Sequence, residues 1–100
     1  MKYITSSENK LYKETKKLMQ RQKRYKHGLF IAEGERLVSD ALSCGCVEYV
    51  MVAQSYGKKV DFPRTYCLCD KLFKSISDTV TTQGIIAVCR INPGSFDQIS

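Results

Sequence analysis

Four short stretches are almost continuously apolar: LFIA at 29–32, VEYVMVA at 47–53, YCLC at 66–69 and GIIAVCR at 84–90. Each is rich in β-branched, aromatic or other apolar residues and is only as long as a strand. A strand exposed on one face alternates apolar and polar residues, whereas one covered on both faces has no reason to. These runs therefore demand a sheet with helices on both sides. The intervening segments supply them. Leu37, Val38, Ala41 and Leu42 repeat at helical spacing within Arg36–Ser43, and Gly45 follows as a C-cap. Asp70 is placed to cap a short helix carrying Leu72, Phe73 and Ile76. With a helix at the N-terminus, the order is helix, strand, helix, strand, strand, helix, strand. This order predicts an α/β fold, a three-layer α/β/α sandwich around a small mixed sheet.

A chain of 100 residues, 43% of them apolar and with only 2 Pro and 6 Gly, has the composition of one small folded domain. The expected domain covers residues 1–92. Asn92, Pro93 and Gly94 end the last strand, and 93–100 read as a tail or the start of a linker. No apolar run approaches the roughly 18 to 20 residues that cross a bilayer, and MKYITSSENK lacks the apolar stretch of a signal peptide. A cytoplasmic protein is expected. Five cysteines, an odd number, then read as reduced and mostly packed thiols. The Cys44–Cys46 and Cys67–Cys69 pairs are C-x-C rather than the C-x2-4-C of structural zinc sites, so no metal is assigned.

The charge is concentrated in one place. The chain carries +6, yet between Lys10 and His27 there are eight Lys and Arg and a single acid, Glu14. That segment is +7, and the remainder sums to −1. It holds no Gly, Pro, Val or Ile and is dense in Lys, Gln, Leu and Met, which predicts a helix, with Ser6 and Ser7 as N-cap candidates and Gly28 as the stop. At 100° per residue, Lys10, Lys13, Lys17, Arg21 and Arg24 fall within an arc of about 80°. Leu11, Thr15, Leu18, Met19 and Tyr25 gather on the other side, the face for the core. The basic stripe is about 21 Å long at 1.5 Å per residue, a length matching several phosphates of a nucleic-acid strand. A face made for solubility interleaves both signs, because like charges three and four residues apart oppose the helix. Nucleic acid is therefore the first reading of the stripe, ahead of a solvated face and of an acidic protein or membrane surface.

Ile4, Ser6, Asn9, Lys10, Leu18, Arg24, Gly28 and Phe30, then Glu33-Gly34-Glu35-Arg36 and Ala41-Leu42, resemble the N-terminal substrate-binding domain of SpoU/TrmH-type (SPOUT) RNA 2′-O-ribose methyltransferases. Thr81 and Gln83-Gly84-Ile85, followed by Ile86-Ala87-Val88, resemble the closing strand of that domain. The likeness runs from Ile4 to about Arg90, with Thr82 departing from the family's usual proline. It implies a fold like that of kink-turn-binding ribosomal proteins and an RNA ligand, tRNA or rRNA. It further implies a separate knotted domain that uses S-adenosylmethionine, so that this chain alone has no catalytic residues, binds no cofactor and is monomeric, while a full-length parent is a homodimer. A free-standing kink-turn adaptor and a protein-interaction domain remain as alternatives.

The resemblance singles out Arg24 for RNA contact, with an ion pair to Glu33 as the plainer reading. Asn9 either meets RNA or makes a local hydrogen bond at the helix start. Glu33 and Gly34 lie at a strand-to-helix junction where backbone amides receive a phosphate, with Arg36 reinforcing them, or they form only a turn. Gln83 and Gly84 open the last strand, facing RNA or the second domain, or making an ordinary turn. His27 has no partner in a catalytic pattern, and no G-x-S-x-G, Walker or G-x-G-x-x-G motif occurs. Tyr12, Tyr25 and Tyr56 are able to stack on unpaired bases but are more simply core or rim residues.

Overall fold

Each apolar run becomes a strand in the computed structural model, which describes residues 2–21, 28–77 and 83–90. The elements are β1 (Lys2–Ile4), α1 (Lys10–Arg21), β2 (Leu29–Glu33), α2 (Glu35–Cys44), β3 (Val47–Ala53), a 3-10 turn at Gln54–Tyr56, β4 (Thr65–Leu68), α3 (Asp70–Ile76) and β5 (Ile85–Arg90). They form one five-stranded sheet in the order β1-β4-β3-β5-β2. Strands β1, β4 and β3 are mutually parallel, and β5 lies antiparallel to both β3 and β2.

The predicted three layers are present. One face of the sheet offers Tyr49, Met51, Leu68, Ile86 and Val88 to Tyr12 and Leu18 of α1 and to Phe73 and Ile76 of α3. The other offers Val50, Val52, Cys67, Ile85, Ala87 and Cys89 to Val38 and Ala41 of α2. Covering both faces is what lets β5 be apolar at five successive positions. A β-bulge refines β3: Val47 pairs with Cys89 and Tyr49 with Val88, two steps on one strand against one on the other. The extra residue is Glu48, so Val47 and Tyr49 reach opposite faces although they are two apart. The Glu48 carboxylate receives Arg90 Nε at 3.0 Å and Arg64 at 3.5 Å.

Three local expectations change. β1 was not foreseen, because Lys2 and Tyr3 are exposed and only Ile4 is buried, leaving no apolar run to read. The N-cap of α1 is Asn9 rather than Ser6 or Ser7. Asn9 Oδ1 accepts the Tyr12 N–H at 3.0 Å, while Ser6 Oγ accepts that of Glu8 one turn too early. At α3 the residue before the helix is Cys69, and the Asp70 carboxylate instead accepts the Ser55 N–H at 3.0 Å, tying the 3-10 turn to the helix. Gly45 does close α2, in the left-handed region with its N–H shared between the Ala41 and Leu42 carbonyls. The last predicted turns of the basic helix, through His27, and residues 93–100 lie outside the described residues.

All five cysteines are free thiols, and Cys89 is fully buried. Burial, and next the neighbouring Cys46, push its pKa up from 9.0 to about 12. A raised folded-state value means full stability below the unfolded pKa and loss as pH rises toward the folded one. Thermal stability is therefore expected to fall between pH 9 and about 12, and buried Tyr49, raised from 10.0 chiefly by burial, adds to the fall. Melting curves across that range should show a shallower decline for Cys89→Ala than for the wild type. Equal slopes would exclude the thiol as a cause.

Candidate nucleic-acid interface

Helix α1 is pinned to the core by one side. Tyr12 and Thr15 are buried, and Leu11 and Met19 half-buried. Thr15 Oγ1 donates to the Leu11 carbonyl at 2.8 Å and meets the Tyr49 hydroxyl at 2.7 Å, and the Tyr12 hydroxyl pairs with Ser75 of α3. With that rotation fixed, Lys10, Lys13 and Lys17 are exposed, as the spacing predicted. Arg21 is the last residue described in the helix; Arg24, Tyr25 and His27 lie outside the described residues. The first turn of α1 contains no acid, so Lys10 and Lys13 sit at the positive end of the helix dipole, where cations are disfavoured. The pair Lys13–Glu8, 3.2 Å apart and exposed on both sides, compensates little of this. The stripe costs the helix stability, which argues against a purely structural role.

Beside the start of α1 is an open groove of about 310 Å³. Its wall is Ile4 of β1, Leu11 of α1 and half-buried Tyr66 of β4; its rim is Lys10 and Glu14 of α1 and Arg64, with Asn9 at one end. The Tyr66 ring stands edge-to-face on Tyr49, with centroids 6.2 Å apart. The Arg64 guanidinium lies 5.8 Å from the centre of the Tyr49 ring. Arg64 and Tyr66 were missed from the sequence, although the R-T-Y spacing places both on one side of an extended strand.

The other candidates gather at the β2–α2 junction. Gly34 has φ 101°, a backbone conformation that favours glycine, and its α-carbon lies close to the end of the Gln83 side chain, 3.0 Å from where a Cβ would stand. Gln83 Oε1 accepts the Glu35 N–H at 2.6 Å, and the Gly34 N–H donates to the Ile85 carbonyl at 3.0 Å. An amide that was expected to be available to phosphate thus holds the Gln83 side chain. The Glu35 carboxylate receives Lys58 at 2.9 Å and the Tyr56 hydroxyl at 3.2 Å, and the Lys58 ammonium holds its pKa below the usual value. Glu33 accepts from the Ser77 hydroxyl. Arg36 projects from the first turn of α2, exposed. The structure therefore ties the first residue of α2, Glu35, which follows Glu33-Gly34, to Gln83 across 48 positions of sequence, but sets this junction at the β2 edge, away from Asn9 and Lys10 at the β1 edge. Tyr56 and Tyr12 are engaged in these contacts rather than displayed. Among the described residues no group of three or more His, Cys, Asp or Glu is arranged to hold a metal ion, and no helix is long and apolar enough to cross a membrane.

The profile of the MRM3-like substrate-binding domain matches residues 9–87. The 23S rRNA (guanosine(2553)-2′-O)-methyltransferase RlmP of Bacillus subtilis (strain 168) is 36% identical over 95 residues, an overlap of 91% of this chain and 38% of that protein. The crystal structure of an RNA 2′-O ribose methyltransferase matches at TM-score 0.70 and 25% identity, over 91% of this chain and 38% of the other. An AdoMet-bound rRNA methyltransferase from Sinorhizobium meliloti shares the fold at TM-score 0.68 and 22% identity, over 91% and 37%. The chain spans little more than a third of the length of these relatives. On the strength of the match over 9–87, this chain belongs to the MRM3-like substrate-binding domain family, a substrate-binding domain of the kind that its motifs resembled.

Proposed function

We propose that this domain recognises RNA on behalf of an rRNA 2′-O-ribose methyltransferase, methyl transfer from S-adenosylmethionine belonging to a separate domain. The observation that carries the reading is the cationic stripe of α1, maintained against the helix dipole and turned away from the core. The relatives that match nearly all of this chain and are themselves much longer support the division of labour, and the AdoMet bound by one of them supports the cofactor.

In this reading Lys10, Lys13 and Lys17, continued by Arg21 and Arg24, contact successive phosphates. Asn9 acts through the helix start it caps, which fixes where Lys10 begins. Glu33, Gly34 and Gln83 hold the β2–α2 junction, and Arg36 adds a positive charge beside it. Such contacts fix register on the RNA without reading bases, and the ribose to be modified is then presented to the second domain. A cytoplasmic enzyme, dimeric through its second domain and with this domain monomeric alone, fits the same reading.

Three to five phosphate contacts give a slope of log K against log salt of about −2 to −4. Titration of the domain with total tRNA and a structured 23S rRNA fragment, with duplex DNA as competitor, measures it. A steep slope with RNA preferred is expected. A flat response would sink the proposal.

A further inference from the structure

The groove between α1 and β4 shares only Lys10 with the phosphate contacts above, and its chemistry differs from that of the stripe. Lys10 belongs to both, so a strand following the stripe reaches the groove at the N-terminal end of α1. There the charges are mixed: Lys10 and Arg64 face the same space as the Glu14 carboxylate. A carboxylate disfavours a phosphate but accepts hydrogen bonds from the amino groups of a base edge. The wall is apolar and aromatic, and its volume of about 310 Å³ is at the small end of sites that enclose a ligand. The Tyr66 ring is already fixed, edge-on to Tyr49, which is in turn tied to Thr15 of α1. Little side-chain freedom remains to be lost on binding.

Building on the RNA-binding reading, we propose that this groove takes a single unpaired nucleobase carrying an exocyclic amine, stacked on Tyr66, with Glu14 accepting from its edge and Lys10 and Arg64 holding the flanking phosphates. A base inside a duplex has both faces covered and does not enter; one in a bulge or loop does. The domain therefore distinguishes an RNA with an exposed base from a continuous helix.

The probe is a short RNA hairpin with one bulged 2-aminopurine, compared with the same hairpin fully paired. The wild-type domain is expected to bind the bulged form more tightly and to quench its fluorescence by stacking. Tyr66→Leu should lower affinity for the bulged hairpin about 5- to 100-fold, the range of one lost base stack, leaving the paired one unchanged, while Tyr66→Phe keeps both. Ultraviolet crosslinking of the bulged RNA to the wild-type domain, mapped to residues 64–66, answers the question without relying on a variant that folds. Equal binding of the two hairpins with no quenching, or crosslinks confined to α1 outside the groove, would overturn the inference while leaving phosphate recognition standing. Failure of both hairpins to bind at low salt would overturn RNA recognition itself, and the base site with it.

Discussion

Exchanging Lys10, Lys13 and Lys17 together for glutamine is expected to weaken RNA binding about 10²- to 10³-fold at about 50 mM salt. Each phosphate contact releases about 0.7 to 0.9 of a counterion, so losing three flattens the log–log salt slope by about 2 to 3. Stability should move the other way, or not at all. The three side chains are exposed, glutamine has nearly the helix propensity of lysine, and the change relieves like-charge crowding and two cations at the wrong end of a helix dipole. Lower affinity in a domain that melts no earlier is a pairing that a structural role for the stripe does not produce. An unchanged slope in the triple variant would move the RNA interface elsewhere on the molecule.

Phe73→Ala is expected to cost about 3 to 5 kcal/mol. Phe73 is 1% exposed, the largest fully buried side chain among the described residues, and packs α3 onto the sheet face that also receives α1. A domain of this size has only about 5 to 15 kcal/mol in hand, so the variant should melt more than about 12 °C lower. Leu37→Ala, on the outer side of α2 at 55% exposure, provides the contrast and should stay within about 0.5 kcal/mol of the wild type. Because Tyr12 of α1 bonds to Ser75 of α3, loosening α3 also loosens the base of the stripe. RNA affinity of the Phe73 variant should therefore fall near its melting range and recover on cooling. Equal melting temperatures for the two variants would mean that α3 does not hold this face.

The parts of the fold that the sequence made legible are those where one local pattern suffices. VEYVMVA became β3 residue for residue, and GIIAVCR contains β5, because strands buried on both faces leave unbroken apolar runs. Of the α1 side assigned to the core by spacing, Thr15 and Leu18 are buried and Leu11 and Met19 half-buried; Tyr12, which the sequence left as core or rim, joins them, with Ser75, 63 residues away, as its partner. What stayed hidden depends on distant residues. β1 exists because Tyr66, Cys67 and Leu68 give three residues an edge to pair with. The Gln83 bond to the start of α2 cannot be seen from either segment alone. The Arg64–Tyr66 side of the groove is formed only when β4 is laid beside β1, so Tyr66 was not among the tyrosines weighed for stacking, Tyr12, Tyr25 and Tyr56; the fold uses Tyr12 and Tyr56 for its own contacts, as their core or rim reading expected.

The position of β5 has a consequence for biosynthesis. It is the last of the described strands, yet it lies inside the sheet, between β3 and β2. A nascent chain with everything through α3 outside the ribosome still has β2 without its neighbour, one flank of β3 bare, and no Gln83 to meet the first amide of α2. Pairings so far apart in sequence form slowly, and unpaired strands invite association meanwhile. The domain should therefore gain its structure in one late step, as residues 83–90 emerge, and any methyltransferase portion translated after them would begin to fold beside a recognition domain that has only just closed.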